Sequence, residues 1–129
     1  MDETPPDGEA IIRVVARPAD ASLSGDIFGG WVLSHMDVAG GILAAEVAGT
    51  RLATVAIDAM QFLRPVNVGD ILCIYGCIER SGRTSVAVRL KAWARRGRIG
   101  GYEKVTEGLF TFVALDSAGK PRPIGRPAE

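Results

Sequence analysis

The chain has 129 residues, 47% apolar and 23% charged, with fifteen basic side chains against fifteen acidic ones. That is the size of one domain with a core of its own, and the composition excludes wholesale disorder. A formally neutral chain lacks the basic excess of a general nucleic-acid binder, so no nucleic-acid partner is expected.

The opening MDETPPDGEA is acidic and has no apolar run, so no secretory signal is expected. Residues 1–8 are polar with paired prolines. Ser117 onward carries Pro121, Pro123 and Pro127 with Gly119 and Gly125. These read as flexible tails over 1–8 and 119–129 around a domain at 9–118.

Ala10 to Arg17 is β-branched and strand-like. Ser24-Gly25-Asp26 signals a turn or cap, with Asp26 able to accept N–H bonds at a helix start. Ile27 to Val47 follows a helical pattern about six turns long, closed by Gly49 as a glycine C-cap. Strands are then expected at Leu52–Leu63, ended by Arg64-Pro65, and at Asp70–Glu79.

The next strand, Thr84–Arg95, alternates most cleanly. Val86, Val88, Leu90, Ala92 and Ala94 take one face; Ser85, Arg89, Lys91, Trp93 and Arg95 take the other. Ser81-Gly82 makes a hairpin before it, Gly97 to Gly101 a looser turn after it, and Tyr102–Leu115 is the last strand. One long helix followed by hairpin-linked strands implies an α+β fold with a largely antiparallel sheet.

Between Ile27 and Val47 the only formal charges are Asp37 and Glu46. A helix apolar on nearly all sides must be covered on nearly all sides, and a curved sheet wrapped around it would do so. The stretch is also long enough to span a membrane, but Asp37 near its middle and the amphipathic strands around it argue against that.

Asp37 carries the most information. A carboxylate inside an apolar helix is paired, hydrogen-bonded or neutralised, either as a structural group or as a base or nucleophile in a cleft. Both readings stay open. Gly29-Gly30 opens the same helix, where first-turn N–H groups are unpaired donors suited to an oxyanion. Gly40-Gly41 would let a neighbouring chain or the sheet pack closely.

From Arg80 to Arg98 there are seven basic residues (Arg80, Arg83, Arg89, Lys91, Arg95, Arg96, Arg98) and no acidic one. The strip is either a solvated face or a surface for a small polyanion. His35, the only histidine, lies about 200° round the helix from Asp37 and reads as packing or subunit contact. Asp58, a second carboxylate in an apolar strand, is expected to pair with an arginine. Cys73 and Cys77 lie roughly 13 Å apart at strand rise, too far for a disulfide, and read as reduced core residues in a cytoplasmic protein. Two thiols alone do not make a zinc site, so no metal is expected.

The run PADASLSGDIFGGWVLSHMDVAGGILA (residues 18–44) closely resembles the YciA-type acyl-CoA thioesterases of the hotdog superfamily. So do FLRPVNVGD at 62–70, GRTSVAVRLKAW at 82–93 and VTEGLFTFVALD at 105–116. The resemblance implies a five-stranded sheet wrapped around one helix. It also implies homodimers paired sheet edge to edge, dimers gathered into homohexamers, and sites between subunits.

The activity it implies is hydrolysis of acyl-CoA to a fatty acid and CoA, with no cofactor beyond the coenzyme A of the substrate. The family's catalytic aspartate falls on Asp37, and its FGG segment on Phe28, Gly29 and Gly30, whose amides would polarise the carbonyl. CoA contacts would come from Arg64, Thr84, Ser85, Arg95 and Arg96. Relatives often carry asparagine where this chain has Ser22, and a serine there implies altered rate or substrate choice. A non-catalytic acyl-CoA binding module remains an alternative, as does a hotdog dehydratase or hydratase, though the latter needs a histidine better placed than His35.

Overall fold

The computed structural model describes residues 4–97 and 99–124. β1 (Ile12–Val15) is followed by a one-turn 3-10 helix at Pro18–Asp20. α1 (Gly29–Ala48), β2 (Leu52–Phe62), β3 (Ile71–Ser81), β4 (Ser85–Arg95) and β5 (Tyr102–Ala114) complete the chain. The five strands form one antiparallel sheet in the order β1-β3-β4-β5-β2. Among the described residues no helix is long and apolar enough to cross a membrane.

The alternation expected in β4 carries the core. Val86, Val88, Leu90, Ala92 and Ala94 are fully buried and form the floor on which α1 lies. The helix lays down Val32, Met36, Ala39, Gly40, Ala44 and Ala48, one stripe at helical spacing. Gly40 makes that contact possible. A Cβ there would stand 2.8 Å from Leu90 Cδ1 and 2.9 Å from Phe112 Cζ, so the glycine serves close helix-to-sheet packing. The opposite face of the sheet holds a smaller cluster of Cys73, Tyr75 and Trp93.

Several expectations change. The sheet does not cover the helix on nearly all sides: Val38 is 56% and Ile42 44% exposed, because one chain's sheet reaches only one stripe. Asp26 is not the helix cap. Its backbone bridges to Asn67, and Phe28 is the N-cap, without a side-chain hydrogen bond. Gly49 does close the helix in the left-handed conformation (φ 68°). β1 is shorter than expected, since Ala16 bonds back to Gly69 and Asp70 and Pro18 begins a new turn. Cys73 is buried but Cys77 is exposed, so only the first is a core residue.

Parts of both described terminal segments lie against the sheet. Pro6, Asp7 and Glu9 line a pocket with Tyr75, Cys77, Arg89 and Lys91 on the outer face of the sheet. At the other end Leu115 bridges to Pro121, Ile124 N donates to the Arg83 carbonyl at 3.0 Å, and the Ile124 side chain packs on the core. Residues 1–3 and 125–129 of the expected tails lie outside the described residues, as does Arg98.

Candidate active site

Two regions of chemical interest form along α1. The first is Asp37, half-buried in the third turn, whose Oδ1 accepts a 2.6 Å hydrogen bond from the Thr54 hydroxyl on β2. Thr54 was not singled out in the sequence; the only sign of it is one hydroxyl within the apolar run LATVAI. Among the described residues Oδ2 has no hydrogen-bond partner, so the carboxylate is fixed through one oxygen.

The second region is an open cleft of about 310 Å³ at the helix start, lined by Gly29, Val32, Phe62, Leu63, Arg64 and Val66 among others. Gly29 and Gly30 are the first two helical residues, so their N–H groups have no partner inside the helix. A Cβ on Gly29 would lie 3.3 Å from the Phe62 ring, whereas one on Gly30 would meet nothing within 4 Å. Gly29 therefore serves packing as well as exposing amides; Gly30 leaves open space. Phe62, also missed in the sequence, forms the wall across from them. Phe28, the N-cap, is exposed beside the cleft.

One chain does not bring the two regions together. Gly30 and Asp37 share a helix face but lie seven residues, about 10 Å, apart along the axis. A single carbonyl group cannot touch both.

The other expected site residues are scattered. Ser22 sits in the turn before the helix: its N–H donates to the Asp26 carbonyl at 2.7 Å and its Oγ accepts from Ser24 N at 3.3 Å. No described hydrogen bond joins it to Asp37, Gly29 or Gly30. Arg64 lines the cleft, donating to the Lys104 carbonyl at 3.0 Å and lying 3.6 Å from Glu103.

Thr84 and Ser85 stand at the start of β4 and Arg95 at its end, roughly 33 Å away at strand rise. Thr84 and Ser85 are thus on the Asp37 side: Val86 pairs with Phe112, and Phe112 with Thr54. Arg95 packs its guanidinium 5.9 Å from the Tyr102 ring centroid. Arg96 turns the other way and is gripped by Asp70, by Glu103 at 2.7 Å and by the Pro65 carbonyl at 3.0 Å.

The two arginines therefore do not form one basic strip. Acidic residues on or next to the neighbouring strands pair with two of its members, Arg89 and Arg96. Arg89 pairs with Glu79 at 3.1 Å and lies 3.7 Å from Glu107, and Lys104 also reaches Glu107. Hydrogen bonds from these cations hold the Glu103 and Glu107 carboxyls below their ordinary range, Arg96 acting on the first and Lys104 on the second.

His35 packs edge-on against Trp31, with ring centroids 4.7 Å apart, and not against Asp37. Asp58 is exposed on β2, and among the described residues no arginine pairs with it, contrary to expectation. No three His, Cys, Asp or Glu side chains among the described residues gather as a metal site.

A thioesterase superfamily model matches residues 24–100. The chain is 47% identical over 127 residues to the acyl-CoA thioester hydrolase YciA of Salmonella typhimurium, covering 96% of this chain and 95% of that one. Among solved structures it is similar to a hexameric thioesterase from Yersinia pestis, at 42% identity and a TM-score of 0.87 over 97% of this chain and 100% of that chain. It is also similar to a hexameric hotdog fold thioesterase of Campylobacter jejuni, at 38% identity and a TM-score of 0.84 over 91% of this chain and 90% of that chain. In sequence over nearly its whole length and in the course of its backbone, this chain belongs to the thioesterase superfamily and has the hotdog fold.

Proposed function

We propose that the protein is an acyl-CoA thioester hydrolase whose site is assembled from two copies of the chain. The observation that carries this reading is Asp37, a half-buried carboxylate that accepts from Thr54 on one oxygen and has no hydrogen-bond partner among the described residues on the other. Its missing counterpart, a set of N–H donors, lies on the same helix but out of its reach.

Antiparallel pairing of β2, an edge strand, with β2 of a second copy supplies what one chain lacks. A two-fold axis through that edge lays the Thr54 end of one strand beside the Phe62 end of the other. Asp37 of one copy then faces the Gly29–Gly30 amides and cleft of its partner. The exposed Val38, Ile42, Val55 and Ile57 give this contact its apolar area. Assembly of such dimers into hexamers is supported by the hexameric relatives.

In this site the thioester carbonyl oxygen accepts from the Gly29 and Gly30 N–H groups. Asp37 either takes a proton from the attacking water or attacks the carbonyl carbon itself. Where water attacks, collapse of the tetrahedral intermediate breaks the C–S bond, the proton taken by Asp37 passes to the departing sulfur, and the carboxylic acid and the CoA thiol leave. Where Asp37 attacks, collapse expels the CoA thiolate, which takes a proton from water. It leaves an acyl–Asp37 anhydride that a water molecule then hydrolyses to the acid and the free carboxylate. Arg64, at the cleft, suits the phosphates of coenzyme A, while Phe28 and Ser22 border the carbonyl end. Thr84 and Ser85 of one copy approach the partner's cleft by the same two-fold pairing. We place the reaction in the cytoplasm, in keeping with the two free thiols.

Thiol release from acyl-CoAs of graded chain length tests the reading. Asp37→Asn should lose at least about two orders of magnitude in kcat while remaining folded and assembled. Full activity in that variant would remove the mechanism. Binding of acyl-CoA without thiol release by the unaltered protein would favour a non-catalytic module.

A further inference from the structure

The connection between β2 and β3, residues 63–70, forms one wall of the cleft and is bonded on both sides. Toward the helix, Ile27 N donates to the Val66 carbonyl at 3.0 Å, and Asp26 bridges to Asn67. Ile27 stands two residues before Gly29, so Val66 fixes where the helix begins. Toward the sheet, Leu63 N donates to the Val105 carbonyl at 2.7 Å. At its far end the connection closes on itself: Asp70, only 5% exposed, accepts Asn67 N at 2.8 Å and donates its own N–H to the Asn67 carbonyl at 3.0 Å.

Arg96 joins these parts. Nη1 meets Asp70, Nε meets Glu103 at 2.7 Å and Nη2 meets the Pro65 carbonyl at 3.0 Å. All three nitrogens of the guanidinium are engaged within the chain. A planar fork can hold a buried carboxylate, a second carboxylate and a backbone carbonyl at once; a lysine ammonium, a compact point charge on a flexible stem, cannot hold this geometry.

We infer that Arg96 is a positioning residue and not a phosphate contact. It locks the Pro65–Asp70 connection against β4 and β5, so that Val66 holds Ile27 and with it the Gly29–Gly30 amides. The role in catalysis rests on the hydrolase reading above. The restraint on the helix start does not.

Two thioesters separate positioning from phosphate binding: an acyl-CoA and the acyl-pantetheine of the same chain length, which has the same reacting bond and no phosphate. Arg96→Lys keeps the charge and loses the fork. It should lower kcat about tenfold on both thioesters, as misplaced reacting groups do, with KM for the CoA ester within about twofold. Asp70→Asn should reproduce that pattern, and the double variant should be little worse than either single one. Glu103→Gln, on the solvent side, removes one arm of the fork and should give a smaller fall of the same kind.

A loss confined to the CoA ester and carried by KM would make Arg96 a phosphate contact and overturn the inference. So would a loss that vanishes once corrected for the fraction of unfolded protein seen in thermal melts. Amide hydrogen exchange supplies a readout that needs no activity. Exchange across residues 27–31 should rise in Arg96→Lys, and unchanged exchange there overturns the inference. Absence of thiol release by the unaltered protein would sink the hydrolase reading instead, leaving the exchange result to decide the role of Arg96.

Discussion

Asp37 and the Gly29–Gly30 pair lie on one face of one helix, yet they meet opposite ends of the sheet. The carboxylate end is sparse: a half-buried acid, one hydroxyl at 2.6 Å, and an edge strand whose apolar residues Val55 and Ile57 face outward. The amide end is dense. There the helix start is pinned through Val66, the connection behind it is gripped by Arg96, and a cleft opens between Gly29 and Phe62. The density follows from what each end presents. Two backbone amides are useful only where the chain that carries them is fixed, whereas a carboxylate on a mid-helix turn is already fixed by its helix and needs one bond to set its rotamer.

If the two ends complement one another across a dimer, inactive chains should rescue each other. Gly29→Pro deletes one N–H at the first helical position, where proline is accepted, and Phe28 already has the extended ψ of 137° that a following proline requires. Its Cβ would stand 3.3 Å from the Phe62 ring, which must give by a few tenths of an ångström, so Gly29→Ala, which adds the Cβ and keeps the N–H, is the control. Removing an oxyanion donor of this kind costs about two to three orders of magnitude in kcat. Gly29→Pro and Asp37→Asn should each be nearly silent alone. Unfolded, mixed and refolded together in equal amounts, they should recover about a quarter of normal activity, since half the random dimers are mixed and each holds one intact site. Thiol release from the mixture, against each variant refolded alone, is the measurement. No recovery in mixtures verified to contain mixed dimers would overturn the site shared between two copies.

A smaller effect sharpens the sparse end. Thr54→Val keeps the volume and removes the hydroxyl that sets Asp37. We expect a fall of about tenfold in kcat from misplacement of the carboxylate. Stability should change by no more than about 1.5 kcal/mol, the usual net worth of one hydrogen bond. Steady-state kinetics and denaturant titration on the same preparation read both, and an unchanged kcat would reduce the Thr54 contact to packing.

Much of the dense core was legible because periodicity reports burial. The alternation from Val86 to Ala94 and the apolar run from Ile27 to Val47 led to the sheet and helix that form. What the sequence could not report was pairing across distance. Thr54 reaches Asp37 over seventeen residues, and nothing in LATVAI marks that threonine. The stretch from Arg80 to Arg98 has no acid of its own, so it read as a bare cationic strip. The acids that answer it, Asp70, Glu79, Glu103 and Glu107, lie on the flanking strands or just before them, and only the register brings them in. Adjacent Arg95 and Arg96 read as one feature, although neighbouring residues on extended backbone point to opposite sides. Proline and glycine near the termini suggested tails, but such residues also make the turn by which Ile124 returns to the core.

The smallest effect separates the two faces of the helix between these ends. Gly40 and Gly41 look alike in sequence, yet a Cβ on the first would press on Leu90 and Phe112 at 2.8 and 2.9 Å, while on the second it would lie 4.0 Å from Phe112. Leu90 and Phe112 are buried in a packed core, so relief requires backbone or rotamer shifts, and overpacking of that kind costs about 1–3 kcal/mol. Gly40→Ala should therefore lose stability despite the better helix propensity of alanine. Gly41→Ala meets ordinary van der Waals contact and gains that propensity, so within the chain its effect should be neutral to favourable by up to about 1 kcal/mol. Denaturant unfolding at one fixed protein concentration compares the two, because assembly makes apparent stability depend on concentration. Should Gly41→Ala prove the costlier change and its cost grow on dilution, the tight contact on that face would belong to a second copy of the chain and not to this sheet.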